Sequence, residues 1–197
     1  MGGGQNFAPN ANAMTTSPFL AELTAAVEAL RATARTEFAP LPLALLNQRP
    51  APASWSILEC LEHLNRYGRY YIPALARALQ RPHPTPTEPA EVRYSWLGHK
   101  SVEMMRPATA KKSAALKRMN PLGSPLDGRV LSEFDQHQTR LLGLLARAHG
   151  ADLNRGAVPV EFFRLLKLRL GEALEFVVVH QQRHLQQAQR VRAGLSD

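Results

Sequence analysis

Apolar residues recur every three to four positions in four stretches of the chain, the period of helices that bury one face. In the first, Ser17 and Pro18 supply a cap residue and a proline at the first helical position. Leu20, Leu23, Val27, Leu30 and Ala34 then form the stripe, and Pro40 and Pro42 end it. The second opens at Ser56 with Glu59 three residues on, the spacing of a capping box. Ile57, Leu61, Leu64, Tyr71, Leu75 and Leu79 continue that stripe, and Pro73 within it predicts a kink or a break into two pieces. The third covers residues 127–149, with Val130, Leu131, Phe134, Leu141, Leu142 and Leu145 facing inward and Gly150 as its stop. The fourth begins near Gly171 and Glu172 and runs to about Ala193.

Between the second and third stretches the pattern dissolves. Pro82, Pro84, Pro86 and Pro89 rule out a regular helix at the start of residues 81–125, and short turns are expected around residues 92–105 and 108–119. A connection this long inside one domain reads as a functional segment or as a crossover between bundle halves. Residues 158–170 are apolar and ambiguous between a short helix and an extended piece. There is no internal repeat and no clear strand alternation. The class is all-α, a four-helix bundle with a long irregular crossover between helices 2 and 3.

Composition narrows this picture. The 197 residues, 45% hydrophobic and 20% charged, suit a single globular domain, expected over residues 15–197. The uncharged Gly/Asn/Ala-rich stretch before it, residues 1–14, is expected to be a disordered tail, with Met14 a candidate native start. It has neither the basic n-region nor the apolar h-region of a secretory signal. No apolar run approaches the ~20 residues that span a bilayer, so a cytoplasmic protein is expected. Cys60 is the single cysteine, which excludes an intramolecular disulfide and a cysteine-based zinc site. Any metal must be held by histidine or carboxylate.

The net charge is +8, and part of the excess is local: Lys100, Arg106, Lys111, Lys112, Lys117 and Arg118 stand against Glu103 alone. Such a segment can attract an anionic ligand, anionic lipid or nucleic acid, or can be a solvated loop. Without interleaved aromatics or a nucleic-acid motif, nucleic-acid binding is not expected.

The chemistry gathers on histidines. His180 and His184 are four residues apart on the last helix, hence on one face, where two imidazoles can converge on one ion. The spacing resembles half of a zinc-protease H-E-x-x-H, but Gln181 occupies the position of the general-base glutamate, so a protease of that type is excluded. His63 falls about two turns into the second helix beside its apolar stripe, where it can face the bundle interior.

Trp55-Ser56, Glu59 and His63-Leu64 together resemble the W-S-x-x-E-x-x-x-H-L signature of the DinB/YfiT-like superfamily. His180, Arg183, His184 and Gln187 are similar to that family's closing H-x-x-R-H-x-x-Q helix, and the stretch 119–131 also fits. The likeness spans residues 18–192. It implies a four-helix bundle with a divalent metal, zinc or nickel, held by His63, His180 and His184. Three protein ligands leave a position open for water or substrate, the catalytic pattern. Relatives of this kind include thiol-dependent S-transferases and isomerases and proteins assigned as metal-dependent hydrolases. The resemblance therefore implies an enzyme acting on a small-molecule substrate, through activated water or a low-molecular-weight thiol, and a homodimer.

Other residues carry plainer readings beside functional ones. Glu59, one turn before His63, is a second partner for the site or only a cap. Cys60 can approach the site or be an inert buried thiol. Tyr67 and Tyr71 can line a pocket or pack the core, and Trp55 is expected to plug the bundle end. His137 is a further pocket residue or a packing histidine. His83 and His99 fall in the crossover and His149 at a helix end, and none is expected at the site. The contrasting reading is a non-catalytic, metal-stabilised bundle that binds an anionic ligand or protein partner through residues 100–118.

Overall fold

A computed structural model of the protein describes residues 14–80, 91–107, 115–161 and 163–195. The expected tail before Met14, the prolines 82–89 with His83, and Lys111 and Lys112 lie outside the described residues.

Four long helices carry the four apolar stripes. They are α1 (Thr16–Thr33), α3 (Ile57–Gln80), α5 (Arg129–Ala148) and α6 (Leu170–Gly194). α3 packs on both α5 and α6, and α1 closes the bundle against the same pair. A π-helical turn, Ala34–Phe38, extends α1 before a short helix α2 (Leu43–Asn47) leads into α3. The bundle is thus four-helical, as the periodicity predicts.

Three local features differ from expectation. Pro73 neither splits nor ends α3, which is assigned as one helix. Pro73 lies on the exposed face, so the Arg69 carbonyl that loses its amide partner is on the side turned to solvent. The crossover contains a ten-residue helix α4 (Trp96–Met105), longer than the turn expected there, which packs on α6. Ser95 caps it by accepting from the Gly98 amide at 2.9 Å. The buried Glu172 carboxylate accepts from the amides of Ser95 and Arg169, tying the start of α4 to the start of α6. A Cβ on Gly98 would stand 2.0 Å from that carboxylate carbon, so only glycine admits this approach.

The ambiguous apolar segment is an antiparallel hairpin, β1 (Val158–Val160) and β2 (Phe163–Leu168), pairing Val158 with Leu168 and Val160 with Phe163 across an irregularity at Pro159. Val158, Val160 and Leu168 are buried in the core. Tyr70 and Tyr71 of α3 anchor it: Tyr70 donates to the Pro159 carbonyl at 3.3 Å, and the Glu161 amide donates to Tyr71 Oη at 3.2 Å. Of the two alternatives the extended one holds; the alternation was masked because Leu165, although apolar, is 81% exposed, and β1 is only three residues long.

The apolar interior falls into two clusters. One holds Val27, Tyr71, Leu141 and Val179, and the other holds Leu30, Leu64, Phe134 and Leu185. Where the helices pass between them sit buried polar side chains: Asn65, His137, Gln138, His180 and Gln181, with His63 at the boundary. Buried polar groups cost free energy unless they find partners, so such a layer marks either a hydrogen-bonded network or a site.

Candidate metal centre

Within that layer, His63 of α3 meets His180 and His184 of α6. One nitrogen from each ring lies within 4.8 Å of the others. The ring centroids are 5.2 Å apart for His63–His180, 4.4 Å for His63–His184 and 4.7 Å for His180–His184. His180 and His184 reach the same point because they are one helical turn apart on α6. His63 joins them because α3 packs directly on α6.

Hydrogen bonds outside the cluster fix which nitrogens are available. His63 Nδ1 is 2.7 Å from the Met119 carbonyl oxygen, which can only accept, so Nδ1 carries the proton and Nε2 presents a lone pair. His184 Nδ1 is 2.9 Å from Gln187 Oε1, which leaves its Nε2 free in the same way. His63 Nε2 and His180 Nε2 are 3.3 Å apart. Two nitrogens at ~2.0–2.1 Å from a tetrahedral zinc would be about 3.3–3.4 Å apart, so this edge already has ligand spacing.

The electrostatics favour neutral, metal-ready rings. Burial lowers the pKa of His63 to about 4, despite the Met119 bond acting in the opposite sense. Burial lowers His184 to about 3, assisted by the neighbouring His63. His180 is pushed well below the ordinary value by burial and then by His184 and His63. At neutral pH three uncharged imidazoles converge, a donor set suited to zinc, nickel or copper. These residues therefore fit a divalent metal.

Aromatic rings enclose the cluster. Trp55 stands 4.7 Å from His63 and 5.6 Å from His184, centroid to centroid. Tyr67 lies 4.9 Å from His63 and 4.4 Å from His180 on another side. Trp55, its Nε1 donating to Asn120 Oδ1 at 3.1 Å, is a wall of the site and also packs on the apolar cluster that holds Leu64 and Leu185. A cavity of about 680 Å³ opens on this wall, with His184, Trp55, Asn120, Arg183, Gln187 and Arg190 in its lining. Its size is within the ~300–1,000 Å³ of small-molecule sites.

The remaining candidates stand further out. Glu59 makes the capping box, accepting from the Ser56 amide at 2.9 Å while its own amide donates to Ser56 Oγ at 3.2 Å. It also accepts from Arg49 and from the Gly123 amide at 2.8 Å. It thus braces the 119–123 loop, whose Met119 carbonyl orients His63. Cys60 is fully buried in the apolar cluster below, and burial pushes its thiol strongly up, so it stays protonated. His137 is buried on α5, 3.3 Å from Asn65 Oδ1 and packed over Gly68, apart from the triad. Tyr71 bonds the hairpin, His149 caps α5, and His99 is exposed on α4.

Sequence reasoning did not single out Met119, Asn120 or Arg190. Met119 acts through its backbone, which leaves no side-chain signal. Arg190 was legible only as a helical neighbour of Arg183, seven residues on and hence on the same face.

A helical bundle with a buried three-histidine cluster beside a small-molecule cavity is the class that fold and site define. The chain belongs to the DinB superfamily, whose sequence model matches residues 26–188. Among solved structures it is similar to YfiT from Bacillus subtilis, described as a probable metal-dependent hydrolase with an unusual four-helix bundle topology. The likeness has a TM-score of 0.61 at 13% identity and covers 96% of this chain and 94% of that chain, a shared fold. No curated protein matches the sequence.

Proposed function

We propose that the protein is a metal-dependent enzyme acting on a small molecule, with His63, His180 and His184 holding a divalent ion, zinc or nickel. The observation that carries the reading is the convergence of three neutral imidazoles, two of them with the proton fixed on Nδ1, beside a cavity that His184 helps to line. YfiT's description as a metal-dependent hydrolase supports the same reading.

Bound there, the ion would supply Lewis acidity that lowers the pKa of a water or a thiol and so provides a nucleophile at neutral pH. Water leads to hydrolysis, and a low-molecular-weight thiol leads to S-transfer. The chain's own residues do the positioning. Met119 and Gln187 hold two rings in their ligating tautomer, and such outer partners strengthen the ligands they orient. Trp55 and Tyr67 shield the histidines on two sides. Burial, with Glu161 nearby, raises the Tyr67 hydroxyl to about 12, so it keeps its proton and remains a donor.

The cavity at His184 supports an enzyme over a non-catalytic bundle, for which a closed site would suffice. The proposal includes one folded unit over residues 15–197 and a cytoplasmic homodimer. Among the described residues no helix is long and apolar enough to cross a membrane.

Elemental analysis of the purified protein and of a His63→Ala/His184→Ala variant tests the metal site, followed by parallel hydrolysis and thiol-transfer panels. The expected result is a stoichiometric divalent metal in the native chain and little in the variant. No bound metal, with no uptake when zinc or nickel is added, overturns the reading.

A further inference from the structure

Three consecutive carbonyls of the loop over the metal centre are bonded by side chains of α3. Arg66, three residues after His63 on that helix, donates from Nη1 to the Arg118 carbonyl at 3.3 Å and to the Asn120 carbonyl at 2.8 Å. The carbonyl between them, that of Met119, stands 2.7 Å from His63 Nδ1. Arg66 Nη2 donates to Ser124 Oγ at 3.1 Å, and Nε donates to Glu62 Oε1 at 3.0 Å. The guanidinium is thus held from α3 through Nε while both Nη groups grip the loop. A rigid planar fork of donors does this in one side chain, which a single ammonium does not. The other tethers act elsewhere: Trp55 holds the Asn120 side chain, Glu59 holds the Gly123 amide, and Arg118 pairs with Glu161 through its own side chain. None of these three bonds a carbonyl of residues 118–120.

A carbonyl turns only with its rigid peptide plane, so its direction is set by the planes on either side. Met119 ends a 3-10 turn (Lys117–Met119), and Asn120 is already extended. The Leu122 amide, which would bond the Met119 carbonyl in a continued turn, donates to Asn120 Oδ1 at 3.1 Å instead. Helical bonding therefore does not aim the Met119 carbonyl. We propose that Arg66 does: it is a positioning residue that fixes the carbonyls on both sides of Met119, keeps the one between on His63 Nδ1, and so presents the Nε2 lone pair to the cluster. Which ring nitrogen carries the proton is set by the bond the other makes. Without its acceptor, His63 can place the proton on Nε2, 3.3 Å from His180 Nε2, where it occupies the position a metal would take. The inference deepens the metal-enzyme reading and rests on it for the use to which the lone pair is put.

Long-range proton–nitrogen NMR reads the tautomer of a histidine without any metal. Isotope-labelled full-length protein is recorded at neutral pH after chelation, with His63→Gln identifying the His63 signal. The expected result is a proton on Nδ1 in the native chain and a substantial Nε2-protonated share in Arg66→Met. Zinc affinity of Arg66→Met, by chelator competition, falls about 10–100-fold. Arg66→Lys keeps the charge but cannot fork between the two carbonyls, and should fall in between. Arg69 also bonds Glu62 from α3, through Nη1 at 3.0 Å and Nη2 at 3.2 Å, so Glu62 keeps a partner in every Arg66 variant. Arg69→Met is the control for the lost ion pair and should leave the His63 tautomer and zinc affinity unchanged. A native His63 protonated on Nε2, an Arg66→Met chain that keeps the proton on Nδ1, or an equal shift in Arg69→Met overturns the inference. If Arg66→Met does not fold by circular dichroism, Arg66→Lys is judged by the same criteria, and failure of both to fold makes Arg66 a stability residue and overturns it too. An Arg66-dependent tautomer in a chain that takes up no zinc refutes the metal reading alone. Zinc affinity equal in the native chain and Arg66→Met refutes the positioning role alone.

Discussion

Replacing Glu59 with alanine tests whether the second helix and the metal site share one support. The Glu59 side chain is 2% exposed and accepts from four donors: Arg49 Nε at 2.9 Å, Arg49 Nη2 at 2.5 Å, the Ser56 amide at 2.9 Å and the Gly123 amide at 2.8 Å. Burial raises its pKa, but the bonds from Arg49, Ser56 and Gly123 outweigh this and hold the carboxyl below the ordinary value. In Glu59→Ala the capping box opens, at a cost of about 1 kcal/mol. The amide of the exposed Gly123 loses its acceptor and regains water, at about 0.5–1.5 kcal/mol. Arg49 is one-third exposed and recovers water, so its lost pair adds little. The expected total is about 1.5–2.5 kcal/mol. At roughly 2–4 °C per kcal/mol for a chain of this size, Tm falls by about 3–10 °C. Urea unfolding followed by circular dichroism measures the free energy, with Ser56→Ala as the control. That control removes a single cap bond, Glu59 N–H to Ser56 Oγ, and should cost about 1 kcal/mol. Because Gly123 lies in the loop that carries Met119, zinc affinity of Glu59→Ala should also fall about 10–100-fold, as for other outer-partner losses. A Glu59→Ala cost no larger than that of Ser56→Ala would refute the bracing role.

Gln187→Leu removes the acceptor at His184 Nδ1 and should weaken zinc about 10–100-fold, read by chelator competition, with little change in unfolding free energy. Gly98→Ala forces a Cβ to within 2.0 Å of the buried Glu172 carboxylate and should cost about 2–4 kcal/mol in urea unfolding, more than its helix propensity returns. Asp135 is held at about 2, first by the hydrogen bond from Arg31 and then by Arg35, against an ordinary value of 3.8. Its contribution to stability is therefore complete above about pH 3.8 and lost as pH falls toward 2, so Asp135→Asn should flatten the stability curve in that window and leave its slope near neutrality unchanged.

The four helices were legible because each buries a stripe that repeats every 3.6 residues, and α5 and α6 end within a residue or two of the stops their glycines and periodicity imply. The capping box was legible because Ser56 and Glu59 interact within one turn. The hairpin was only half legible, as one of two alternatives, because β1 has three residues and the exposed Leu165 is apolar, which hides the alternation of β2. Of the two outcomes that Pro73 predicted, the break does not occur, because Pro73 occupies the exposed face of α3 and that face is decided by the neighbours of the helix.

Read alone, the sequence determined that His180 and His184 share a face, since one turn of helix brings i and i+4 together whatever surrounds them. It excluded the protease chemistry through Gln181, and its single cysteine excluded a site built on several thiolates. The tertiary structure decided the rest of the site. His63 reaches His180 across 117 residues only because α3 packs on α6, and its ligating tautomer depends on a backbone carbonyl 56 residues away. The cavity, with its two arginines, exists only where α6, the 50–55 segment and the loop after α4 meet. Short-range helical geometry is written in residue spacing; the convergence of separate elements depends on how their buried faces pack, and no spacing along the chain encodes that.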